Sequence, residues 1–419
     1  MNLSSSISSS SLAINEQEMA PLICFSHLRW DFVLQRPQHL MSRFARERAV
    51  FFFEEYIPTD HHLAYLEIHP FEGTAVKSVR PRVPHWWNAA DRKRALGRLL
   101  DELLVMCGAK RPILWFYTPA MYEFARHVDA AAVVYDCMDE LANFKFAPDR
   151  MKEMEAALMA RADVVFTGGY SLYEAKREQH GNIHPFPSGV DVDHFHTARQ
   201  RAVEPADQQS ISGPKLGYYG VIDERLDLEL VAALAAARPD HSFIFIGPIA
   251  KIAPEDLPRA QNIHYLGQKH YGELPAYVSG WDAALMPFAL NGSTQFISPT
   301  KTPEYLAAGR PVISTPIKDV VRHYGDVDGV FVASDSQRFA QACDNALSLA
   351  RSGNAWWKPV DEMLEGSSWD KTFMAMKGLV EDAVSRTGYA HMQTAKSMSR
   401  KASPSKPVIL GEVVTVPGL

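Results

Sequence analysis

Two charged side chains, Lys301 and Glu304, lie on either side of Pro303 in the segment SPTKTPEYLAAGRPVIST, residues 298–315. An ammonium group suits phosphate oxygens, and a carboxylate can accept hydrogen bonds from the vicinal hydroxyls of a ribose. A nucleoside diphosphate needs both. On spacing alone the alternative stays open that Glu304 complements a helix dipole and that Lys301 is solvated.

The residues around this pair predict a short helix that begins directly after a loop. Thr302 can cap the helix, Pro303 suits a first helical position, and Gly309 is a typical left-handed end. The hydroxyls of Ser298 and Thr300 add donors beside the helix start. Free N–H groups at such a start favour an anion, so we expect these residues to contact the phosphates of a nucleoside diphosphate.

A second candidate anion contact follows a predicted strand in GYYGVIDERLDLEL, residues 217–230. Gly220 would let the backbone approach a ligand closely, and the Arg225 guanidinium could bind phosphate oxygens in a bidentate manner. The alternative is an ordinary exposed loop arginine. Neither GxGxxG nor GxxxxGK[ST] occurs in the chain, which argues against a dehydrogenase or a P-loop ATPase.

Polar and aromatic side chains follow the first predicted strand in SHLRWDFVLQRPQHL, residues 26–40. Aromatic faces and planar polar groups suit sugar rings, and we expect a sugar ring to bind there. The candidate contacts are Arg29, Trp30, Asp31, Gln35, Arg36 and His39. Packing of Trp30 and Arg36 between loop and sheet remains an alternative.

Two aspartates, Asp136 and Asp139, end a later predicted strand in YDCMDELANFKFAP. They could orient hydroxyls or act as a base, and capping of the next helix is an equal alternative. No histidine or further carboxylate lies close to them in sequence, so we expect no metal site.

Short apolar runs alternate with helical segments along the chain, which predicts an α/β protein with parallel sheets covered on both faces. The pattern breaks in a Pro-, Gly- and Ser-rich stretch before residue 213 and then restarts, which predicts two doubly wound, Rossmann-like domains facing a cleft. The predicted segments are a disordered leader (1–20), an N-terminal Rossmann-like domain (21–200), a C-terminal Rossmann-like domain (213–368), a C-terminal helix (369–386) and a disordered tail (387–419).

Composition excludes several classes of protein. The net charge of −6 gives no overall reason to expect nucleic-acid binding. The four cysteines are scattered, which fits a reducing cytoplasm, and neither a signal peptide nor a membrane span is recognisable. The tail is basic, so a peripheral position at the inner face of a membrane remains an alternative to a purely cytoplasmic one.

Three segments together resemble the retaining glycosyltransferases of the GT-B fold, the bacterial group 4 enzymes in particular. PSGVDVDHF resembles their interdomain signature, PTKTPEYLAAGRPVIST their donor motif and SSWDKTF the start of their crossover helix. The resemblance implies that Glu304 binds the donor ribose and that Arg225 and Lys301 clamp the diphosphate. It also implies a nucleotide diphosphate-sugar donor, held by the C-terminal domain, as substrate and no cofactor. A glycan or lipid-linked glycan acceptor would lie on the N-terminal domain, where the candidate acceptor contacts are Arg29, Trp30, Asp31, Gln35, Arg36, His39, Asp136 and Asp139.

Three departures from that family stand out. The earlier glutamate of the donor motif, associated with the transferred sugar, is replaced by Phe296. The Gly-rich first loop is replaced by HLRWDFVLQRPQHL, which with YDCMDE and SPTK looks like a bacterial subgroup of surface-polysaccharide assembly. The histidine often found after the fourth strand is replaced by Tyr117 or Thr118.

The expected function is therefore metal-independent transfer of a sugar with retention. Stabilisation of the leaving diphosphate by Arg225 and Lys301 would be the main catalytic effect. The alternatives are a nucleotide-sugar epimerase of the same fold and a non-catalytic nucleotide-sugar-binding protein.

Overall fold

The computed structural model describes residues 19–200 and 203–401, with side chains to residue 389. Residues 1–18 of the predicted leader and the part of the predicted tail beyond residue 401 lie outside this range. No helix in the described range combines the length and the apolar character that crossing a bilayer requires.

The first half of the chain forms one sheet whose strands are parallel except for a single edge pairing. In space the order is β3-β5-β2-β1-β6-β7-β8-β9, and β4 pairs antiparallel with β5. The strands are β1 Leu22–Ser26, β2 Val50–Glu54, β3 Ile57–Thr59, β4 Tyr65–Pro70, β5 Lys77–Pro84, β6 Ile113–Phe116, β7 Ala132–Cys137, β8 Val164–Thr167 and β9 Ile183–Pro185.

The helices that join these strands cover both faces of the sheet. Alternate residues of β1 bury in separate apolar clusters, Ile23 and Phe25 on one face and Leu22 and Cys24 on the other. The helices are α1 Arg36–Phe44, α2 Ala89–Met106, α3 Tyr122–Ala125, α4 Met151–Arg161, α5 Tyr170–Lys176 and α6 Val192–His196, the last of which leads out of the domain.

The second half forms a parallel sheet in the order β12-β11-β10-β13-β14-β15. Its strands are β10 Lys215–Tyr219, β11 Ser242–Ile246, β12 Ile263–Tyr265, β13 Ala283–Met286, β14 Val312–Ser314 and β15 Val330–Val332. Its helices are α7 Ala206–Gln209, α8 Leu228–Ala237, α9 Leu274–Ser279, α10 Lys301–Ala307, α11 Lys318–Tyr324, α12 Ser336–Arg351 and α13 Trp357–Leu364. The predicted fold, two Rossmann-like domains facing a cleft, is confirmed.

The last helix, α14 (Trp369–Lys401), returns to the N-terminal domain. Trp369, Phe373 and Met376 bury in the apolar cluster beneath the first sheet. The helix passes the expected end at residue 386, so residues 387–401 are helical where disorder was expected.

Candidate active site

A cleft of about 470 Å³ lies between the carboxyl ends of the two sheets. The loop after β1 and the loop after β7 form one wall. The loops after β10, β11 and β12 and the start of α10 form the other. Ligands of open α/β sheets bind at this edge.

All six predicted donor contacts line the C-terminal wall: Gly220, Arg225, Ser298, Thr300, Lys301 and Glu304. The Lys301 side chain passes directly over Gly220, because a Cβ on Gly220 would lie 2.8 Å from Cε of Lys301 and 2.7 Å from the Tyr218 hydroxyl. Gly220 also has a φ of +145°, which side chains rarely tolerate. Only a glycine at position 220 therefore leaves room for the Lys301 side chain.

Glu304 is a buried carboxyl, with 5% of its surface exposed. The Tyr219 hydroxyl donates a 2.6 Å hydrogen bond to its Oε2 atom. Burial raises the pKa of Glu304 to about 7, against the opposing effects of the Lys301 charge and the Tyr219 hydrogen bond. A solvated end-of-helix carboxylate, the alternative left open by the sequence, does not describe this environment.

Lys301 is the first residue of α10, and its Nζ lies 3.5 Å from the Thr300 hydroxyl. Burial lowers the pKa of Lys301, and the Glu304 charge opposes that shift. The predicted cap is wrong: the buried Thr302 hydroxyl contacts Sδ of Met286 at 3.0 Å, and the helix begins two residues earlier than Pro303. Gly309 has the predicted left-handed conformation, with φ of +72°.

Arg225 is held by Asp223 through a bidentate ion pair with N–O distances of 2.9 and 2.8 Å. Burial acts to lower the pKa of Arg225, but the charge and hydrogen bonds of Asp223 outweigh it and the pKa is raised. Within the described residues, no acceptor bonds to its Nη1 atom. The guanidinium is thus fixed in orientation, with one amino group available to a ligand.

The predicted acceptor residues divide into two groups. Those that line the cleft are Trp30, Asp31, Gln35, Arg36, His39 and Asp139. Arg29 and Asp136 do not line it. Arg29 donates to Glu54 and to the Glu55 carbonyl, and Asp136 is fully buried beneath Arg36. Both therefore support the wall rather than face a ligand.

Trp30 and Arg36 also match the structural alternative left open by the sequence. The Trp30 ring packs edge-on against Phe52 with centroids 5.1 Å apart. Arg36 forms a bidentate pair with Asp136 and donates to the Phe186 carbonyl at 2.6 Å. These two side chains hold the loop and α1 against the sheet, and only part of each reaches the cleft.

The second half of the chain matches a known family. Residues 213–348 match the family described as glycosyl transferases group 1. The chain carries a glycosyltransferase group 1 domain. That domain holds the whole wall with Lys301, Glu304 and Arg225, so the glycosyltransferase match covers the predicted donor side.

A relative is similar to the chain in sequence, and two solved structures are similar to it in fold. The chain is 27% identical, over 61% of its length and 68% of the relative, to TuaH of Bacillus subtilis, named as a teichuronic acid biosynthesis glycosyltransferase. Sucrose-phosphate synthase from Thermosynechococcus elongatus superposes with a TM-score of 0.67 at 13% identity, covering 88% of this chain and all of that one. A UDP-forming trehalose-phosphate synthase from Burkholderia xenovorans gives 0.62 at 14%, covering 87% and 99%. The protein is a transferase enzyme with a GT-B fold.

The glycosyltransferase cleft contains residues that the sequence did not indicate. The His39 ring stacks on Trp369 with centroids 4.4 Å apart and meets Tyr271 edge-on at 5.7 Å. Burial, with smaller effects of Arg43 and His194, lowers the pKa of His39 to about 3, so this imidazole is neutral near pH 7. Tyr271 follows β12 and Trp369 is the first residue of α14, so both lie far from His39 in sequence.

Lys251 is a third cation close to the predicted diphosphate contacts Arg225 and Lys301. Its Nζ lies 4.7 Å from the Phe144 ring centroid and 3.9 Å from Glu224, and its φ of +60° is unusual for a lysine. Asp139 faces this group of charges: burial raises its pKa, and Arg225, Lys251 and Lys301 oppose the shift. In the sequence, only the position of Lys251 in the loop after the predicted strand β11 could have indicated that it lies near the cleft.

Proposed function

We propose that this glycosyltransferase moves a sugar from a nucleotide diphosphate-sugar to a glycan or lipid-linked glycan, with retention and without a divalent metal. The observation that carries the proposal is the buried Glu304 and the half-buried Lys301 beside Arg225 on one wall of the cleft. The name of the Bacillus subtilis relative supports an acceptor in cell-surface polysaccharide assembly.

In this proposal the chemistry rests on the leaving group. Breaking the bond between the sugar and the diphosphate places negative charge on the phosphate oxygens. Lys301 and Arg225 stabilise that charge from fixed positions, where preorganised charges act most strongly. They supply positive charge of the kind that a divalent cation would bring to a diphosphate. The proposed reaction is independent of metal because these two side chains take that role.

The acceptor would lie against the opposite wall. The Asp139 carboxyl belongs to that wall, and the charges of Arg225 and Lys301 act on it. The neutral His39 can exchange hydrogen bonds with sugar hydroxyls. With Phe296 at the position of the earlier family glutamate, contacts to the transferred sugar come from other groups. Retention would follow from attack by the acceptor on the same face as the departing diphosphate.

The proposal is tested by incubating the full chain with UDP-, GDP-, ADP- and dTDP-sugars and a panel of glycan acceptors. We expect one donor to release its nucleoside diphosphate together with a glycosylated product of retained anomeric configuration, read by NMR, with a rate unchanged in EDTA. Epimerisation of the sugar without nucleotide release, or tight binding without any turnover, would contradict transfer. An inverted product would contradict retention alone.

The raised pKa of Glu304 predicts a pH-dependent ribose contact. Ionised Glu304 accepts from ribose hydroxyls, so the advantage of a nucleoside diphosphate over its 2′,3′-dideoxy analogue should grow as pH rises through about 7. A charge-assisted hydrogen bond of about 1.5–3 kcal/mol corresponds to a gain of roughly 10- to 100-fold. Taking the ratio of the two affinities by calorimetry cancels the diphosphate contribution.

Glu304→Gln is the matched control for this measurement, because it keeps the side-chain shape and does not titrate. Its affinity ratio should be low and flat between pH 5.5 and 8.5. A wild-type ratio that is equally flat would show that Glu304 does not bind the ribose.

A further inference from the structure

One buried carboxylate joins the two domains next to the cleft. Asp319, at the start of α11 in the C-terminal domain, is 1% exposed. Its two oxygens accept the backbone N–H groups of Tyr170 and Ser171, both at 2.9 Å. The first N–H groups of a helix have no partner within it, and here those of α5 in the N-terminal domain are satisfied by the other domain.

Gly169 precedes these two residues and makes room for the contact. Its φ of −173° is extended backbone that any residue adopts. A Cβ at this position would nevertheless overlap the Asp319 carboxylate and lie 2.5 Å from Cβ of Ser298. The absence of a side chain at Gly169 is therefore required by the approach of the C-terminal domain and by nothing in its own backbone. We call Gly169, Tyr170, Ser171 and Asp319 the interdomain latch.

The latch is connected to both walls of the cleft. On the donor side, Ser298 lies in the cleft-lining loop that leads to Lys301. On the acceptor side, the other end of α5 carries Lys176, whose buried Nζ lies 2.8 Å from Glu140 and 2.7 Å from Glu155. Glu140 directly follows Asp139, so α5 links the latch to the segment that holds Asp139.

That segment also crosses the cleft by itself. Nδ2 of Asn143 donates to the Gly292 carbonyl at 3.0 Å, and the Lys145 N–H donates to Glu224 at 3.2 Å. Both acceptors belong to the C-terminal domain. The position of Asp139 relative to the donor cations thus depends on how closely the two domains approach.

We propose that Asp319 and Gly169 are positioning residues of the transfer reaction, because the interdomain latch fixes the acceptor-side carboxylate Asp139 against Lys301 and Arg225. This inference rests on the proposed function. Neither residue needs to touch a substrate. The latch acts through α5 on one wall and through the Ser298 loop on the other.

The test compares Gly169→Ala and Asp319→Asn with the wild type and with a matched control. Arg322→Ala is the control, since Arg322 joins the same two helices through an exposed ion pair with Glu174 and a contact 5.9 Å from the Tyr170 ring centroid. Its removal leaves both hydrogen bonds between Asp319 and the start of α5 in place. Three quantities are measured: affinity for UDP, GDP, ADP and dTDP, turnover of the corresponding nucleotide sugars with glycan acceptors, and amide hydrogen exchange of the peptide containing Tyr170 and Ser171.

In both latch variants we expect exchange of that peptide to become faster and turnover to fall by about 10- to 100-fold, the effect of misplacing reacting groups by about 1 Å. Because Lys301, Arg225 and Glu304 all lie on the C-terminal domain, affinity for the nucleoside diphosphate should change by less than about threefold in Asp319→Asn. In Gly169→Ala, whose added Cβ also meets Ser298, the affinity should fall by less than the turnover does. Arg322→Ala should match the wild type in all three measurements.

Three results would overturn the latch. The first is wild-type turnover in both variants. The second is amide exchange of the Tyr170 and Ser171 peptide that is as slow in both variants as in the wild type. The third is a loss of nucleoside diphosphate affinity equal to the loss of turnover, which indicates general damage. Should Gly169→Ala fail to fold, Asp319→Asn decides alone. If the wild type neither binds nor turns over any nucleotide, the proposed function fails first, and the positioning role falls with it.

Discussion

Replacing Lys301 by alanine is expected to weaken binding of the nucleoside diphosphate by roughly 10- to 100-fold, the value of a charged hydrogen bond of about 1.5–3 kcal/mol. The lysine is enclosed by the cleft, and its stem passes over Gly220 with no room for another side chain. Calorimetric titration of the full chain measures the affinity directly.

The same substitution should also change the titration of Glu304. The Lys301 charge holds the pKa of Glu304 down, so its removal should move the inflection of the ribose-dependent affinity to a pH above about 7. This second readout separates loss of a phosphate contact from loss of folded protein. For this readout, the nucleoside diphosphate and its 2′,3′-dideoxy analogue are titrated into Lys301→Ala across the same pH range as for the wild type.

Lys269→Ala is the matched control for Lys301→Ala. Lys269 also lines the cleft, but its Nζ is paired with Asp207 at 2.6 Å and lies 5.2 Å from the Tyr277 ring centroid. Exposed ion pairs contribute about 0–1 kcal/mol, so we expect a change of less than about fivefold. Equal affinity in Lys301→Ala and the wild type would exclude Lys301 as the phosphate ligand.

Replacing Asp136 by alanine should destabilise the protein by about 3–5 kcal/mol, the cost of leaving a buried charge without its partner. The Arg36 guanidinium is 3% exposed and would keep one carbonyl acceptor, that of Phe186. Its Nη2 atom also lies 3.6 Å from Sδ of Met376 in α14, so the loss should loosen the returning helix as well. Chemical denaturation followed by tryptophan fluorescence measures the change.

Two further variants make this result interpretable. The double variant Arg36→Met/Asp136→Leu removes both charges, and it should cost less than Asp136→Ala because no unpaired charge stays buried. Arg94→Ala breaks the exposed pair with Asp91 and should shift stability by less than about 1 kcal/mol. An Asp136→Ala protein as stable as the wild type would contradict the buried pair.

The parallel core of the fold could be predicted from the sequence because buried strands read as continuous apolar runs. LICFS, VFFFE and SFIFI each form a fully buried strand close to where the apolar run lies. Strands β3, β4 and β5 could not be predicted in the same way. β3 and β4 pair with β5 at the edge of the sheet, and the exposed and half-buried residues of β4 carry no clear period.

The donor side of the candidate site could be predicted because its residues share one short segment. Lys301 and Glu304 are neighbours in sequence, so local spacing already placed them together. The acceptor side depends on contacts across the chain. Asp136 and Asp139 look equivalent in sequence, yet the sheet buries the first beneath Arg36 and turns the second towards the cleft.

The interdomain latch and the packing of Tyr271 and Trp369 against the predicted His39 could not be inferred from the sequence for the same reason. Gly169 is unremarkable locally, and its requirement arises only from a helix in the other domain. The continuation of α14 beyond residue 386 was also missed, because residues 387–401 are basic and polar, a composition that predicts disorder.

The central claim, that one wall of the cleft binds a nucleotide diphosphate, is tested most directly by a crystal structure with the nucleoside diphosphate that binds best in calorimetry. The account predicts phosphate oxygens within hydrogen-bonding distance, about 2.7–3.2 Å, of Lys301 Nζ and the Arg225 guanidinium, with ribose hydroxyls on Glu304. A nucleotide bound elsewhere, or in this cleft with its phosphates away from Lys301 and Arg225, would contradict it.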